Sequence, residues 1–311
     1  MAYFVGKNTQ RGGAEGLQKT YSRSGKACLP HGPQKKQGGE SSPFIIDEFR
    51  SLIGLKDVKD IVLEIQAYSE IKQQRIFYGL QTDALTLHMI FKGNPGTGKT
   101  TVARLLGKTF HEIGILSQGH IVEVERADLV GEYIGHTAQK TRSQIKKALG
   151  GILFVDEAYS LARGGQKDFG KEAIDVLVKA MEDYRDQFIL ILAGYLREMD
   201  YFLNMNPGLR SRFPMMIVFP DYSIDELMAI AESMAAEKEY LISPEAEYAL
   251  RKHLTRLSNE GRLKCSNARY VRNLLEKATR KQAMRLVKEN HYSRKKLMIL
   301  NPEDLSTNEQ L

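Results

Sequence analysis

The runs "GILFVDE" (151–157) and "FILILAGY" (188–195) are apolar at nearly every position, without the in-and-out alternation of a half-buried strand. A strand of this kind has both faces covered, which marks an inner strand of a parallel sheet with helices on either side. "LTLHMIF" (85–91), "HIVEVE" (120–125) and "MIVFPD" (216–221) read as further strands. Helical periods separate them over 100–113, 137–149 and 170–184, the last with Ile174, Leu177, Val178 and Met181 on one face. Alternating strands and helices predict an α/β fold, a parallel sheet sandwiched by helices. Upstream, Val58, Ile61, Val62, Ile65, Tyr68 and Ile71 mark one more amphipathic helix.

After Pro220 the strand signal stops, and residues 224–240, 244–259 and 267–290 read as helices. A small all-helical lid domain therefore follows the α/β domain, with the boundary near Asp221–Ser223. The expected organisation is a disordered basic tail at 1–43, an α/β domain at 44–222, the helical domain at 223–300 and an acidic tail at 301–311. The net charge of +7 is carried by the two ends. Residues 244–296 hold 15 Lys/Arg against 5 Asp/Glu, while residues 44–243 hold 23 against 28. A basic helical segment can contact nucleic acid, but solvated helix faces are the favoured account and no recognisable DNA-binding module accompanies it, so nucleic acid is not the expected partner.

Cys28 and Cys265 are the two cysteines of the chain, so there is no disulfide framework and the cytoplasm is the expected compartment. The longest apolar run, Phe188–Leu196, is too short to cross a bilayer, and membrane insertion is not expected.

"GNPGTGKT" (93–100) fits the G-x-x-x-x-G-K-[ST] phosphate loop, and it sits where the mechanism needs it, between an apolar strand and an amphipathic helix. Gly93, Asn94, Pro95, Gly96, Thr97 and Gly98 form the cradle, whose glycines let backbone N–H groups converge on phosphate oxygens, with Thr101 just beyond it. Lys99 is placed to neutralise the β- and γ-phosphates, and the Thr100 hydroxyl to ligate Mg²⁺. "ILFVDE" (152–157) ends in two carboxylates at the C-terminal edge of the sheet, where ligands of open α/β sheets lie. Asp156 is expected to hold Mg²⁺ through water and Glu157 to polarise the attacking water. ATP and Mg²⁺ are thus the expected substrate and cofactor, and a second carboxylate favours hydrolysis over binding alone.

These motifs with a helical domain appended resemble the AAA+ ATPases over about residues 44–300. The resemblance implies an ATP hydrolase that forms a ring, by analogy a hexamer. It implies that Tyr195 in "ILAGY" is the first sensor, although the wider family has Asn or Thr there. It also implies a finger arginine in "NPGLRSRF" (206–213), Arg212 first and Arg210 second, that acts in the neighbouring subunit's site. In "SNARYVRN" (266–273) Arg269 is implied to touch the γ-phosphate, while Arg272 braces its helix. Ile53 and Gly54 in "LIGL" are implied to line the adenine pocket.

At the level of loops, "ERADLVGEYIGHTAQKT", "GGILFVDEAYSLARGG" and "NPGLRSRFP" look like the subfamily of stage V sporulation protein K and red-type Rubisco activase. That subfamily has the "LAGY" form of the first sensor. In AAA+ remodellers the position of Tyr133-Ile134-Gly135 carries an aromatic–aliphatic–glycine triplet facing a central channel. Such tips grip an extended polypeptide client through apolar contact, whatever its sequence. A second channel loop is implied at 161–170, with Arg163 and Lys167 as polar contacts. For Tyr133 the alternative is packing on its own domain; for the whole chain the rival reading is a scaffold or switch in which ATP state only controls assembly.

Overall fold

The computed structural model describes residues 49, 52–82, 85–133, 135–163, 169–263, 266–290 and 292–306. The 1–43 tail, Ile134, Lys167 and residues 307–311 lie outside these. In chain order the elements are α1 (Lys56–Phe77), β1 (Met89–Gly93), α2 (Lys99–Glu112), β2 (Ile121–Val124), α3 (Arg126–Leu129), α4 (His136–Ala148) and β3 (Ile152–Val155). A 3-10 turn at Ala158–Ala162 leads to α5 (Gly170–Asp183), β4 (Ile189–Gly194), α6 (Leu196–Met205), α7 (Pro207–Arg210) and β5 (Met215–Phe219). The second part holds α8 (Ile224–Ala236), β6 (Leu241–Ile242), α9 (Pro244–Asn259), α10 (Asn267–Glu289), α11 (Arg294–Met298), β7 (Ile299–Leu300) and α12 (Pro302–Leu305).

The five strands β2-β3-β4-β1-β5 form one parallel sheet. Alternate residues of the apolar runs go to opposite faces, as the pleat requires. Leu153, Val155, Leu190 and Leu192 join Ile145, Leu177 and Phe202 on one side. Ile152, Phe154, Ile189 and Ile191 join Val62, Val102, Leu106 and Phe110 on the other. This order puts β4 between β1 and β3, so the segments that leave the C-terminal ends of these three strands are neighbours.

α1 departs from its sequence reading in its second half. Val58, Val62 and Ile65 are buried, but Tyr68 and Ile71 are exposed, as are Ile76 and Phe77. A helix of 22 residues is about 33 Å long, while a strand of 5 residues spans about 17 Å, so the helix outruns the sheet.

The lid starts where its capping chemistry dictates. The Ser223 hydroxyl accepts from the Glu226 amide and the Glu226 carboxylate accepts from the Ser223 amide, a reciprocal cap on α8. Leu227, Leu250, Leu254, Val271 and Leu274 fill its core. Two details differ from expectation. The lid is not wholly helical, because β6 and β7 pair in parallel over two residues each, too short to carry a periodic signal. Residues 301–306 do not begin a tail: Leu305 joins the lid core, and Asp304, 2% exposed, accepts two hydrogen bonds from Arg285. Among the described residues no helix is long and apolar enough to cross a membrane.

Candidate functional site

The loop between β1 and α2 closes on its own lysine. Lys99 Nζ donates to the carbonyls of Gly93 and Asn94, both at 2.8 Å, and the residue is only 9% exposed. Burial draws its pKa below the ordinary lysine value, against the opposing pull of Asp156 and with a smaller push from Arg269. A buried ammonium whose bonded partners are neutral carbonyls is a site prepared for an anion. Thr97, fully buried, donates its hydroxyl to the Asn94 carbonyl at 2.8 Å and keeps the loop folded. Gly96 has φ 73°, and a Cβ there would run into the carbonyl oxygen of Ser266 at the start of α10, so no other residue fits.

β3 delivers the two carboxylates. Asp156 Oδ1 accepts the Glu157 amide at 2.9 Å, leaving its second oxygen available. Glu157 itself sits in left-handed backbone, φ 46° and ψ 43°, a conformation that costs a non-glycine residue about 1 kcal/mol and turns the chain sharply at the strand end. The Tyr195 hydroxyl, at the end of β4, donates to Glu157 Oε1 at 3.4 Å. Burial and the Glu157 carboxylate push this phenol above its ordinary pKa, so it remains a donor at neutral pH.

The N-terminus of α10 closes the site from the lid side. The Ala268 amide donates to the Gly96 carbonyl at 3.2 Å. Asn267, 2% exposed and at φ 42°, donates to Asp221 Oδ1 at 2.9 Å and to the Pro95 carbonyl at 3.4 Å, and accepts the Tyr222 amide at 3.1 Å. Asn94 Nδ2 donates to the same Asp221 at 2.9 Å, and the Tyr222 hydroxyl donates to the Thr97 carbonyl at 3.2 Å. Asp221, Tyr222 and Asn267 thus latch the lid to the loop. Sequence reasoning treated Asp221 as a boundary and passed over Asn267, because polar residues at element ends carry no periodic signal.

Around these groups lies a cleft of about 560 Å³. Its polar lining includes Lys99, Thr100, Thr101, Asp156, Glu157, Tyr195 and Arg269. Ile53, Leu55, Ile230, Met234 and Leu275 give it an apolar end. Cations, a hydroxyl–carboxylate pair and an apolar end together match the chemistry of a nucleoside triphosphate with a divalent ion. Among the described residues no cluster of three or more His, Cys, Asp or Glu side chains could hold a metal ion. Thr100 and Asp156 both line the cleft, and a hydroxyl with a carboxylate is the kind of sparse oxygen set that suits Mg²⁺, which shares substrate phosphates.

Not every residue singled out from the sequence faces the cleft. Pro95, Gly96 and Gly98 line it, while the Asn94 side chain is turned to Asp221 and the Thr97 hydroxyl to the Asn94 carbonyl. Leu55 lines it instead of Gly54, whose φ of 67° makes the turn into α1. Arg272, read as a brace for its helix, is exposed and lines the cleft beside Arg269. Arg210 is exposed and Arg212 half-buried, both away from the chain's own cleft; Arg212 pairs with Glu182 at 2.7 Å and donates to the Gly208 carbonyl at 2.8 Å. Tyr133 is 66% exposed, with its ring on His136 at 5.5 Å between centroids, and Gly135 has φ 83° with open space around it. Gly131, at the loop's other end, is by contrast buried, its amide donating to Thr137 at 2.9 Å. Tyr133 thus presents its ring to solvent, with anchoring on one side and conformational freedom on the other.

The comparisons with known proteins agree with this anatomy. Residues 89–221 match the ATPase family associated with various cellular activities (AAA), and residues 223–311 match the AAA lid domain. Stage V sporulation protein K of Bacillus subtilis is 59% identical over 264 residues, 85% of this chain and 82% of that protein. Protein CbbX of Cereibacter sphaeroides is 47% identical over 250 residues, 80% of each chain. The chloroplastic ribulose bisphosphate carboxylase/oxygenase activase of Cyanidioschyzon merolae is 44% identical over 244 residues, 78% of this chain and 83% of that one. Among solved structures a RuvB mutant of Thermotoga maritima superposes with a TM-score of 0.53 at 21% identity, covering 81% of this chain and 68% of that one, a likeness of fold alone. By its strand order, its phosphate loop, its lid and these relatives, the chain belongs to the AAA family of ATPases.

Proposed function

We propose that this chain hydrolyses ATP with Mg²⁺ in a ring, a hexamer, and uses the cycle to pull on a protein client in spore formation. The observation that carries this reading is the separation of two sets of residues. Lys99, Asp156, Glu157, Tyr195 and Arg269 line one cleft, while the exposed Tyr133 and the half-buried Arg212 stand away from it. The first set serves hydrolysis in the chain's own cleft. The second serves a client and a neighbouring subunit.

Lys99 and the loop amides hold the phosphates of ATP, and Arg269 reaches them from the lid. Mg²⁺, held by Thr100 and Asp156, supplies charge neutralisation at the phosphate oxygens when bound. Glu157 accepts the proton of the attacking water as the bond to the leaving ADP breaks. Arg212, released from Glu182, stabilises the charge developing in the neighbour's site. The lid, latched to the loop through Asn267 and Asp221, follows the state of that loop and shifts the subunits against one another. Tyr133 then moves with its domain and drags the chain it grips.

The greater identity to the sporulation protein favours a client in spore formation over Rubisco, the target named for the activase relative. Two variants test the reading. Glu157→Gln should keep ATP binding and assembly while turnover falls at least about 100-fold; unchanged turnover rules out Glu157 as the base. Carboxymethylated casein, permanently unfolded, should stimulate the wild-type ATPase but not that of Tyr133→Ala. Equal stimulation of both would turn the argument toward an ATP-controlled scaffold.

A further inference from the structure

A line of side chains runs from the surface, behind the cleft wall, to Tyr195 and Glu157 at the cleft. Arg163, exposed just after the 3-10 turn, places its guanidinium carbon 4.7 Å from the centre of the Tyr159 ring. Tyr159, 5% exposed, lies against Tyr195 with ring centroids 5.7 Å apart and planes 35° from parallel. Tyr195 then donates its hydroxyl to Glu157 Oε1 at 3.4 Å. The backbone makes room for this stack at Gly194, where a Cβ would come within 2.7 Å of the Tyr159 ring. Tyr159 and Arg163 are not among the residues lining the cleft, so neither is placed to touch the nucleotide.

We propose that Arg163, Tyr159 and Tyr195 form a positioning stack that sets the orientation of the Glu157 carboxylate, so that contact made at Arg163 is felt at the catalytic base. The proposal rests on the reading of Glu157 as that base. A cation on a ring face holds the ring's tilt and offset, and the neighbouring ring fixes where the Tyr195 hydroxyl points. A phenol that donates to a carboxylate selects one rotamer of that carboxylate. Burial, together with the Glu157 charge, keeps both phenols protonated and therefore able to donate. At 3.4 Å the bond is long for O–H···O, so a small displacement of the stack makes or breaks it. Arg163 is the outer end, open to any group that competes for its guanidinium.

Steady-state ATPase measurements on the full chain test this. Tyr195→Phe should lower kcat about 3- to 10-fold with KM for ATP unchanged, and Arg163→Ala should lower kcat about 2- to 5-fold in the same way. Arg163→Lys keeps a cation over the ring and should restore most of the loss. Wild-type kcat in Arg163→Ala, a loss appearing in KM instead, or no rescue by lysine would overturn the stack. Glu157→Gln separates the two levels: turnover surviving in that variant defeats the base assignment, whereas a dead Glu157→Gln beside a fully active Arg163→Ala defeats only the stack.

Discussion

Lys99 and His88 show how burial prepares single side chains for opposite duties. Lys99 is buried beside carbonyls and keeps a charge for a ligand to neutralise. His88, 2% exposed, is buried as a neutral ring: the Leu190 amide donates to its Nδ1 at 3.0 Å, and Phe188 and Phe213 pack on it. Desolvation lowers its pKa from 6.5 to about 4. In the unfolded chain the ring takes a proton below about 6.5, while the folded form resists until about 4. Stability is therefore undiminished by this group above pH 6.5 and falls as pH drops through that window, by on the order of 3 kcal/mol at its lower end. Urea titrations across pH 7 to 4 should show a steeper loss for wild type than for His88→Leu, which lacks this slope. Parallel pH profiles would remove His88 from the account. The chemistry-bearing residues differ sharply in how legible they were. Lys99, Thr100, Asp156 and Glu157 follow from local spacing, since a phosphate loop and a strand-end carboxylate pair are complete within a few residues. His88 carries no such signal, because a histidine in "LTLHMIF" looks the same whether buried or exposed.

At the scale of elements, local chemistry decided what could be foreseen. The helical period over 244–259 coincides with α9 (Pro244–Asn259), because Ser243 caps it and Pro244 occupies its first turn. α6 carries no separate sequence signal, its buried Met199, Phe202 and Leu203 following β4 too closely to stand out as a new period. The latch between lid and loop was also illegible. Asn94 and Asp221 are 127 residues apart, and only the pairing of β1 with β5 brings the ends that carry them together. The Asn267 side chain makes three bonds there at a left-handed backbone position, where asparagine is tolerated and alanine is not. Asn267→Ala should lower stability by about 1–3 kcal/mol, seen as an earlier urea midpoint at unchanged slope. An unmoved midpoint would mean that the latch contributes nothing.

At the scale of the whole molecule, the two-part architecture was visible as a change from strand–helix alternation to helices alone, while the assembly was implied only by resemblance. The ion pair between Arg212 and Glu182 joins side chains that are 37% and 63% exposed. Pairs of this kind contribute about 0–1 kcal/mol, so the arginine is easily released to a neighbouring site. This sets up the most direct test of the central claim, that each hydrolytic site is shared between two subunits. Arg212→Ala subunits keep Glu157 but lack the finger, and Glu157→Gln subunits keep the finger but lack the base. Each variant alone should be nearly inactive. Mixing them in equal amounts with Mg²⁺-ATP should restore a substantial part of the wild-type ATPase, because some junctions then pair an intact Glu157 with an intact Arg212. A mixture as inactive as its components, or an Arg212→Ala protein as active as wild type, would contradict the shared site.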